Sequence, residues 1–308
     1  MFQFFAGGVS VKREAAARLR ILASMVIFGT IGVFVRSLPL PSSVIAMFRG
    51  MIGAPFLLLV LLLRRQRLSL PAIRRNLPRL CLSGAMLGFN WILLFEAYCY
   101  TTVATATLCY YLAPILLVAA SPFVFREKMT VKKTLCILTA LVGMAFVSGA
   151  VENGLPAIGE RRGILLALCA AVLYAAIVIE NKRFSDLAPF ERTILQLLIS
   201  ALVLLPYNLL TGSMAGLDLS GTALPLLLVV GIVHTGLSYY LYFGSMADLN
   251  AQTLAILSYI DPVVAVLLSA LVLREPLGPL DILGAALILG AALVCELPGK
   301  QPDGKERS

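Results

Sequence analysis

A few polar side chains lie inside long apolar runs, where a charge is expensive. Asp261 lies in "AILSYIDPVVAVLLSALVLREP" (255–276), about ten residues into an apolar run that starts near 251, directly before Pro262. A carboxylate at the centre of a membrane helix costs ~2.5–3.5 kcal/mol on insertion scales, so it should face protein or water. Pro262 cannot donate to the carbonyl of Ser258, which leaves that carbonyl free beside the acid. Such a pair could bind a cationic group or carry a proton. The other reading is a neutral acid hydrogen-bonded to a neighbouring helix. His234, the single histidine, sits in "GIVHTGLSYYLYFG". It titrates near physiological pH and could relay a proton, although a lone histidine in an apolar helix also serves as packing. His234 and Asp261 fall on consecutive segments, so contact between them is sterically open. Asn90 and Glu96 share "FNWILLFEAYCY", six residues apart and not quite on one face. Glu96 is near the end of its segment, where water reaches. Arg49, in "IAMFRGMIGAP", could snorkel outward, pair with Glu96, or hold the carboxylate of a ligand. Tyr110, Tyr111, Tyr239, Tyr240 and Tyr259 fall at a similar depth. They read either as an aromatic pocket for an amphiphilic molecule or as packing with hydroxyls bonded to free carbonyls. Gln196 corresponds to Arg49 in the second half to within one residue, and is expected to line the same cavity.

The elements that must position these groups follow from composition. The chain has 308 residues, 60% hydrophobic and 13% charged, with mean hydropathy +0.94. Soluble domains carry about a quarter charged residues, and runs of about 20 apolar residues read as transmembrane helices. The expected fold class is therefore an all-α polytopic membrane protein with ten transmembrane helices, near 18–37, 43–63, 77–99, 104–123, 131–149, 162–182, 190–210, 222–246, 251–273 and 279–297. The net charge of +9 sits in short loops, which is a positive-inside pattern and not a nucleic-acid footprint. With the N-terminus inside, 20 Lys and Arg residues fall in cytoplasmic segments. Four (Arg36, Arg161, Arg162 and Arg274) fall outside, and Arg49 lies within a span. Both termini are thus expected in the cytoplasm of a cell with the protein in its inner membrane. Residues 1–17 read as a cytoplasmic lead-in with an amphipathic turn or two, and 298–308 as a cytoplasmic tail. The six cysteines form no CxxC pair and read as small buried residues, with no metal site.

The two halves are related. At an offset of 148, Pro114 matches Pro262 and Glu127 matches Glu275. Gly88, Phe95, Thr105, Tyr111, Ser121 and Arg126 match Gly236, Phe95's partner Phe243, Thr253, Tyr259, Ser269 and Arg274. Repeats over 18–149 and 162–297 each hold five spans. An odd number inserts the second copy with opposite orientation, which is the inverted-repeat design of secondary transporters with a site near the midplane. Glu127 and Glu275 close equivalent spans and read as scaffold. Ala113 stands where the second half has Asp261, so the halves are chemically unequal there, which suits a molecule with one polar end.

The segments "FEAYCYTTVATATLCYYLAPILLVAASPFVFREKMT" and "YFGSMADLNAQTLAILSYIDPVVAVLLSALVLREPLG" share a small-residue turn, an Ala/Thr-rich helix start, a mid-helix Pro and a closing Glu. In these features, and in Arg49 on the second span, the chain resembles the EamA-like branch of the drug/metabolite transporter superfamily. The resemblance implies ten-helix carriers, exporters of amino acids and other small metabolites. It implies a small-molecule substrate and a lipid bilayer, with no cofactor and no enzymatic activity; movement is either ion-coupled or facilitated, with protons the candidate coupling ion from Asp261 and His234. No GxxxxGK[ST], HExxH or DDxxD pattern occurs. A channel and a lipid-modifying membrane enzyme are the alternatives. Gly284 and Gly290 could pack within the bundle or between protomers, so monomer and homodimer both remain open.

Overall fold

The computed structural model describes residues 3–124, 126, 129–148, 151, 158–184, 186–246, 248–249 and 251–296. Its helices are α1 (Gln3–Arg36), α2 (Ser42–Leu63), α3 (Leu70–Tyr100), α4 (Val103–Tyr110), α5 (Ala113–Val124), α6 (Val131–Val147), α7 (Ile158–Asn181), α8 (Pro189–Leu210), α9 (Ala223–Gly231), α10 (Ser238–Met246), α11 (Ala251–Ser258), α12 (Ile260–Leu271) and α13 (Pro279–Glu296). A π-helical segment, Ile232–Leu237, joins α9 to α10. Joined end to end where they continue one another, these pieces form ten rods. Helices are what lipid demands, because every backbone N–H and C=O must find its partner within the segment. Among the described residues, seven rods are long and apolar enough to cross a membrane, and the α11–α12 and α13 rods are shorter apolar helices. The α6 rod has 17 residues, a length of about 26 Å at 1.5 Å per residue. Large apolar side chains such as Leu63 and Leu271 point outward, as a lipid-facing surface requires.

The expected spans and the observed helices differ most at two starts. α3 begins at Leu70, seven residues before the apolar run, with Pro71 placed in its first turn, where a missing N–H costs nothing. Arg74, Arg75 and Arg79 mark where the lipid ends and the helix does not. α1 likewise extends back to Gln3, beyond the turn or two expected of the lead-in.

The repeat is written into the backbone. α4 and α11 are related by the same shift of 148 at both ends, and each stops four residues before its proline. Pro114 cannot bond the carbonyl of Tyr110, nor Pro262 that of Ser258, and each ring crowds that carbonyl. The break residues adopt the same conformation, Tyr111 at φ −72°, ψ 4° and Tyr259 at φ −74°, ψ −2°. Arg126 and Arg274 both turn the chain in the left-handed region, at φ 56° and 55°, which is uncommon for a residue with a Cβ.

Packing obeys the same two-fold relation. α3 lies on α7 as α10 lies on α1. α3 lies on α8 as α9 and the π segment lie on α2. α12 lies on α1 as α4 and α5 lie on α7. The pairs α2 with α8, α4 with α12 and α6 with α13 meet across the axis. Five rods per repeat, alternating in direction, give the second repeat the inverted orientation. At the α6–α13 crossing a Cβ on Gly143 would sit 2.8 Å from the Gly284 carbonyl, and one on Gly284 would sit 2.6 Å from the Gly143 carbonyl. Gly284 therefore packs within the bundle, by the small-residue contact membrane helices use. Gly290 has nothing within 4 Å of its missing Cβ.

Candidate functional site

The π segment is the local feature that builds the polar centre. In a π turn the residue at i lies over the carbonyl at i−5. Three side chains bond there: His234 Nδ1 to Val229 O at 3.3 Å, Thr235 Oγ1 to Val230 O at 3.0 Å, and Ser238 Oγ to Val233 O at 3.0 Å. α2 closes tightly over the segment, since a Cβ on Gly53 would strike the Thr235 side chain at 2.5 Å. The widened turn thus offers Thr235 to the neighbouring helix.

Arg49 on α2 receives that offer. Its Nε donates to Thr235 Oγ1 at 2.8 Å, and its guanidinium carbon lies 4.1 Å from the Trp91 ring centre and 5.8 Å from that of Phe95. The residue is only 5% exposed. Among the described residues no carboxylate pairs with it, and neither Nη has a protein acceptor. Its electrostatic neighbours are Tyr239, Tyr110, Tyr98 and Asp261. The cation is thus held against aromatic faces, worth about 2 kcal/mol when desolvated, with most of its five donors unspent. Glu96, also on α3, is half-buried and does not reach Arg49. The two lie on faces of their helices that do not meet.

Asp261 occupies the first turn of α12. Its Oδ2 accepts from the Tyr111 hydroxyl at 2.7 Å, so the break residue of one repeat grips the acid beside the break of the other. The free N–H groups and dipole of a helix start favour a carboxylate there. Tyr111 also faces Tyr259 with ring centres 6.3 Å apart and Tyr110 at 6.2 Å. Tyr110 in turn meets Tyr174 at 5.5 Å and donates to Asn90 Oδ1 at 3.4 Å. Fully buried Asn90 donates to Ala170 O at 2.6 Å, joining α3 to α7. Tyr110, Tyr111 and Tyr259 thus come together, whereas Tyr239 packs against Phe28 and Phe243 instead. Tyr240 sits under Arg64.

His234 is 1% exposed. Its Nε2 meets Thr30 Oγ1 at 2.8 Å, and Phe34 covers the ring at 4.6 Å. No hydrogen bond links it to Asp261. The Thr30 hydroxyl also lies 2.7 Å from Ile27 O. It can give its proton to a neutral ring, or turn it to Ile27 O and accept from a protonated one. Gln196 departs from expectation. Its Nε2 donates to Ser83 Oγ at 2.8 Å and to Asn181 Oδ1 at 2.9 Å, which closes a separate polar cluster among α3, α7 and α8. Inversion is the reason, because equal positions in the two repeats lie at opposite depths.

Glu275 accepts from the Val103 N–H at 2.8 Å and from the Ser269 hydroxyl, with Arg36 Nη2 3.8 Å away. It caps the start of α4 from just beyond α12 of the opposite repeat. The matched Glu127 lies outside the described residues. Sequence reading missed Thr235, Trp91, Thr30 and Tyr174, and marked Ser269 only as the repeat match of Ser121. Of the four missed, only Trp91, the single tryptophan, carried any signal.

The comparisons agree with this architecture. The EamA-like transporter family matches residues 17–149 and 161–296. The chain is 32% identical over 262 residues to the uncharacterized transporter YxxF of Bacillus subtilis, covering 84% of this chain and 83% of that protein. It is 28% identical over 216 residues to the aromatic amino acid exporter YddG of Ancylobacter novellus, covering 70% of this chain and 74% of the exporter. One solved crystal structure superposes with TM-score 0.64 at 22% identity, over 92% of this chain and 96% of its own, which carries the fold alone. Two matched halves with the same proline-broken spans, packed about one two-fold axis, make the chain a member of the EamA-like transporter family within the drug/metabolite transporter superfamily.

Proposed function

We propose that the protein moves a small amino-acid-like metabolite out of the cell by alternating access, as a secondary transporter with both termini in the cytoplasm. The observation that carries the reading is Arg49, a buried cation on aromatic faces whose Nη donors have no acceptor among the described residues. A buried charge needs a partner, and a substrate carboxylate fits the planar fork of a guanidinium. Asp261, in electrostatic reach of Arg49 but not paired with it, is the group of opposite sign for an ammonium or a proton. Trp91, Phe95, Tyr98 and Tyr110 supply apolar walls. The similarity to an aromatic amino acid exporter supports both the substrate class and the outward direction. The surplus of Lys and Arg on one face supports the orientation.

The test is counterflow in proteoliposomes loaded with candidate amino acids. Arg49→Gln is expected to lower the apparent affinity for the carried amino acid at least tenfold. Arg49→Lys should recover part of the loss, keeping charge without the fork. Undiminished saturable exchange by Arg49→Gln would refute the assignment, and flux without counterflow would point to a channel.

A further inference from the structure

The strongest feature outside the central polar groups is a basic notch. A pocket of ≈ 470 Å³ opens between the first turns of α3 and the connection from α7 to α8, lined by Arg75, Asn76, Pro78, Arg79, Arg183 and Asp186. It has a rigid floor. Ala72, Leu80, Phe184 and Leu187 form an apolar cluster beneath it, backed by Ile73, Leu195 and Ile199. Arg192 pins the connection from below, donating to Asn181 O at 3.0 Å and lying over Phe184.

The acids of the notch are already engaged. Asp186 accepts from Arg75 and from the buried Asn76 at 2.9 Å. These two donors hold its carboxyl below the usual carboxylate range. Glu180 accepts from Arg183 at 2.7 Å. Arg79 donates to a carbonyl, Arg183 O, at 3.1 Å, and has no carboxylate partner among the described residues. Three guanidinia therefore converge on one preformed hollow, each with most of its donors unspent. That is the chemistry of a phosphate oxygen receptor.

We infer that this notch binds a phosphate group, and that its carrier is the headgroup of an anionic phospholipid. The apolar flank decides between lipid and soluble phosphate. Leu77 and Leu82 of α3 and Leu198 and Leu202 of α8 are exposed on the same two helices, so acyl chains can run along the protein from the notch. Basic pockets at helix ends on the positive face are where such headgroups bind. The inference does not depend on the transported substrate.

Purified full-length protein in neutral detergent would be titrated with phosphatidylglycerol, phosphatidylcholine and inorganic phosphate while thermal unfolding is followed. Phosphatidylglycerol should raise the unfolding midpoint saturably, with an effect that weakens as salt rises, and phosphatidylcholine should not. The apparent affinity for phosphatidylglycerol should fall at least fivefold in Arg79→Gln and in Arg183→Gln. Arg161→Gln, at the other end of α7, removes the same charge and should leave it unchanged. Equal response to both lipids, or an equal loss in Arg161→Gln, would overturn the site. Protection by millimolar inorganic phosphate matching that of the lipid would overturn the lipid as carrier.

Discussion

Replacing Glu275 with alanine tests how the two repeats are tied. The change removes the acceptor of the Val103 N–H, an N-terminal cap interaction worth about 1 kcal/mol. It also takes away the acceptor of the Ser269 hydroxyl, whose Oγ still accepts from the Ala104 N–H at 3.3 Å, on a residue only 1% exposed. A hydrogen bond between membrane helices averages about 0.6 and reaches about 1.7 kcal/mol. The Arg36 side chain is 40% exposed and 3.8 Å away, so its ion pair adds at most about 0.5 kcal/mol. The sum is about 2–3 kcal/mol, or a roughly 30- to 150-fold loss in the folding equilibrium. Reversible unfolding in mixed micelles with rising dodecyl sulfate would measure it. Glu275→Gln retains an oxygen for Val103 and should lose only about 1 kcal/mol. Arg36→Gln should lose less than about 0.5 kcal/mol. A double cycle with Ser269→Ala should show coupling between neighbours. If Glu275→Ala stays within about 0.5 kcal/mol of the native chain, or Arg36→Gln proves equally damaging, the cap is not what binds span four to span nine.

Two further outcomes are expected. Asp261→Asn should abolish transport driven by a pH gradient while sparing exchange of substrate down its own gradient. Normal pH-driven transport by this variant would show the acid to be structural. Gly284→Val should destabilise the bundle by more than about 3 kcal/mol, because the added atoms meet the Gly143 carbonyl, the short, stiff Val147 side chain and the Phe146 Cβ, none of which can swing aside. Gly290→Ala, facing open space, should be neutral within about 0.5 kcal/mol in the same unfolding assay.

Much of the scaffold was legible because it depends on covalent constraints. A proline lacks the N–H that continues a helix, and the matched pair Pro114 and Pro262 marked both breaks, although Pro55, Pro78, Pro122 and Pro206 are carried inside continuous helices. Hydropathy found the rods but misplaced the start of α3, because arginines mark the edge of lipid and a helix continues through it. The centre was less legible. A π turn spans six residues within a run whose periodicity still reads as α, so nothing marked Thr235 as the partner of Arg49. Matching Gln196 to Arg49 by sequence offset ignored the inversion, which puts equivalent residues at opposite depths. Asp261 was found by its charge, yet its place in the first turn of α12, gripped by the Tyr111 hydroxyl, needed the break itself.

The polar centre divides unequally between two similar halves, and its bonds run between them. Arg49 holds Thr235, Tyr111 holds Asp261, Thr30 meets His234 and the Val103 N–H meets Glu275. In each pair one residue belongs to the first repeat and the other to the second. Any rocking of one repeat against the other must stretch or exchange these four contacts. A ligand shifts a conformational equilibrium only through unequal affinity for its states. On the proposed function, a carboxylate taken by the free Nη donors of Arg49, or a proton taken by Asp261, changes the charge beside these inter-repeat bonds. Chemistry at either residue would then bias the packing of the halves. A perfectly symmetric pair of repeats would lack a polar end to read. On the proposed function, the departure from symmetry at Asp261, whose equivalent in the other copy is Ala113, is where selectivity would enter a scaffold whose movement depends on symmetry.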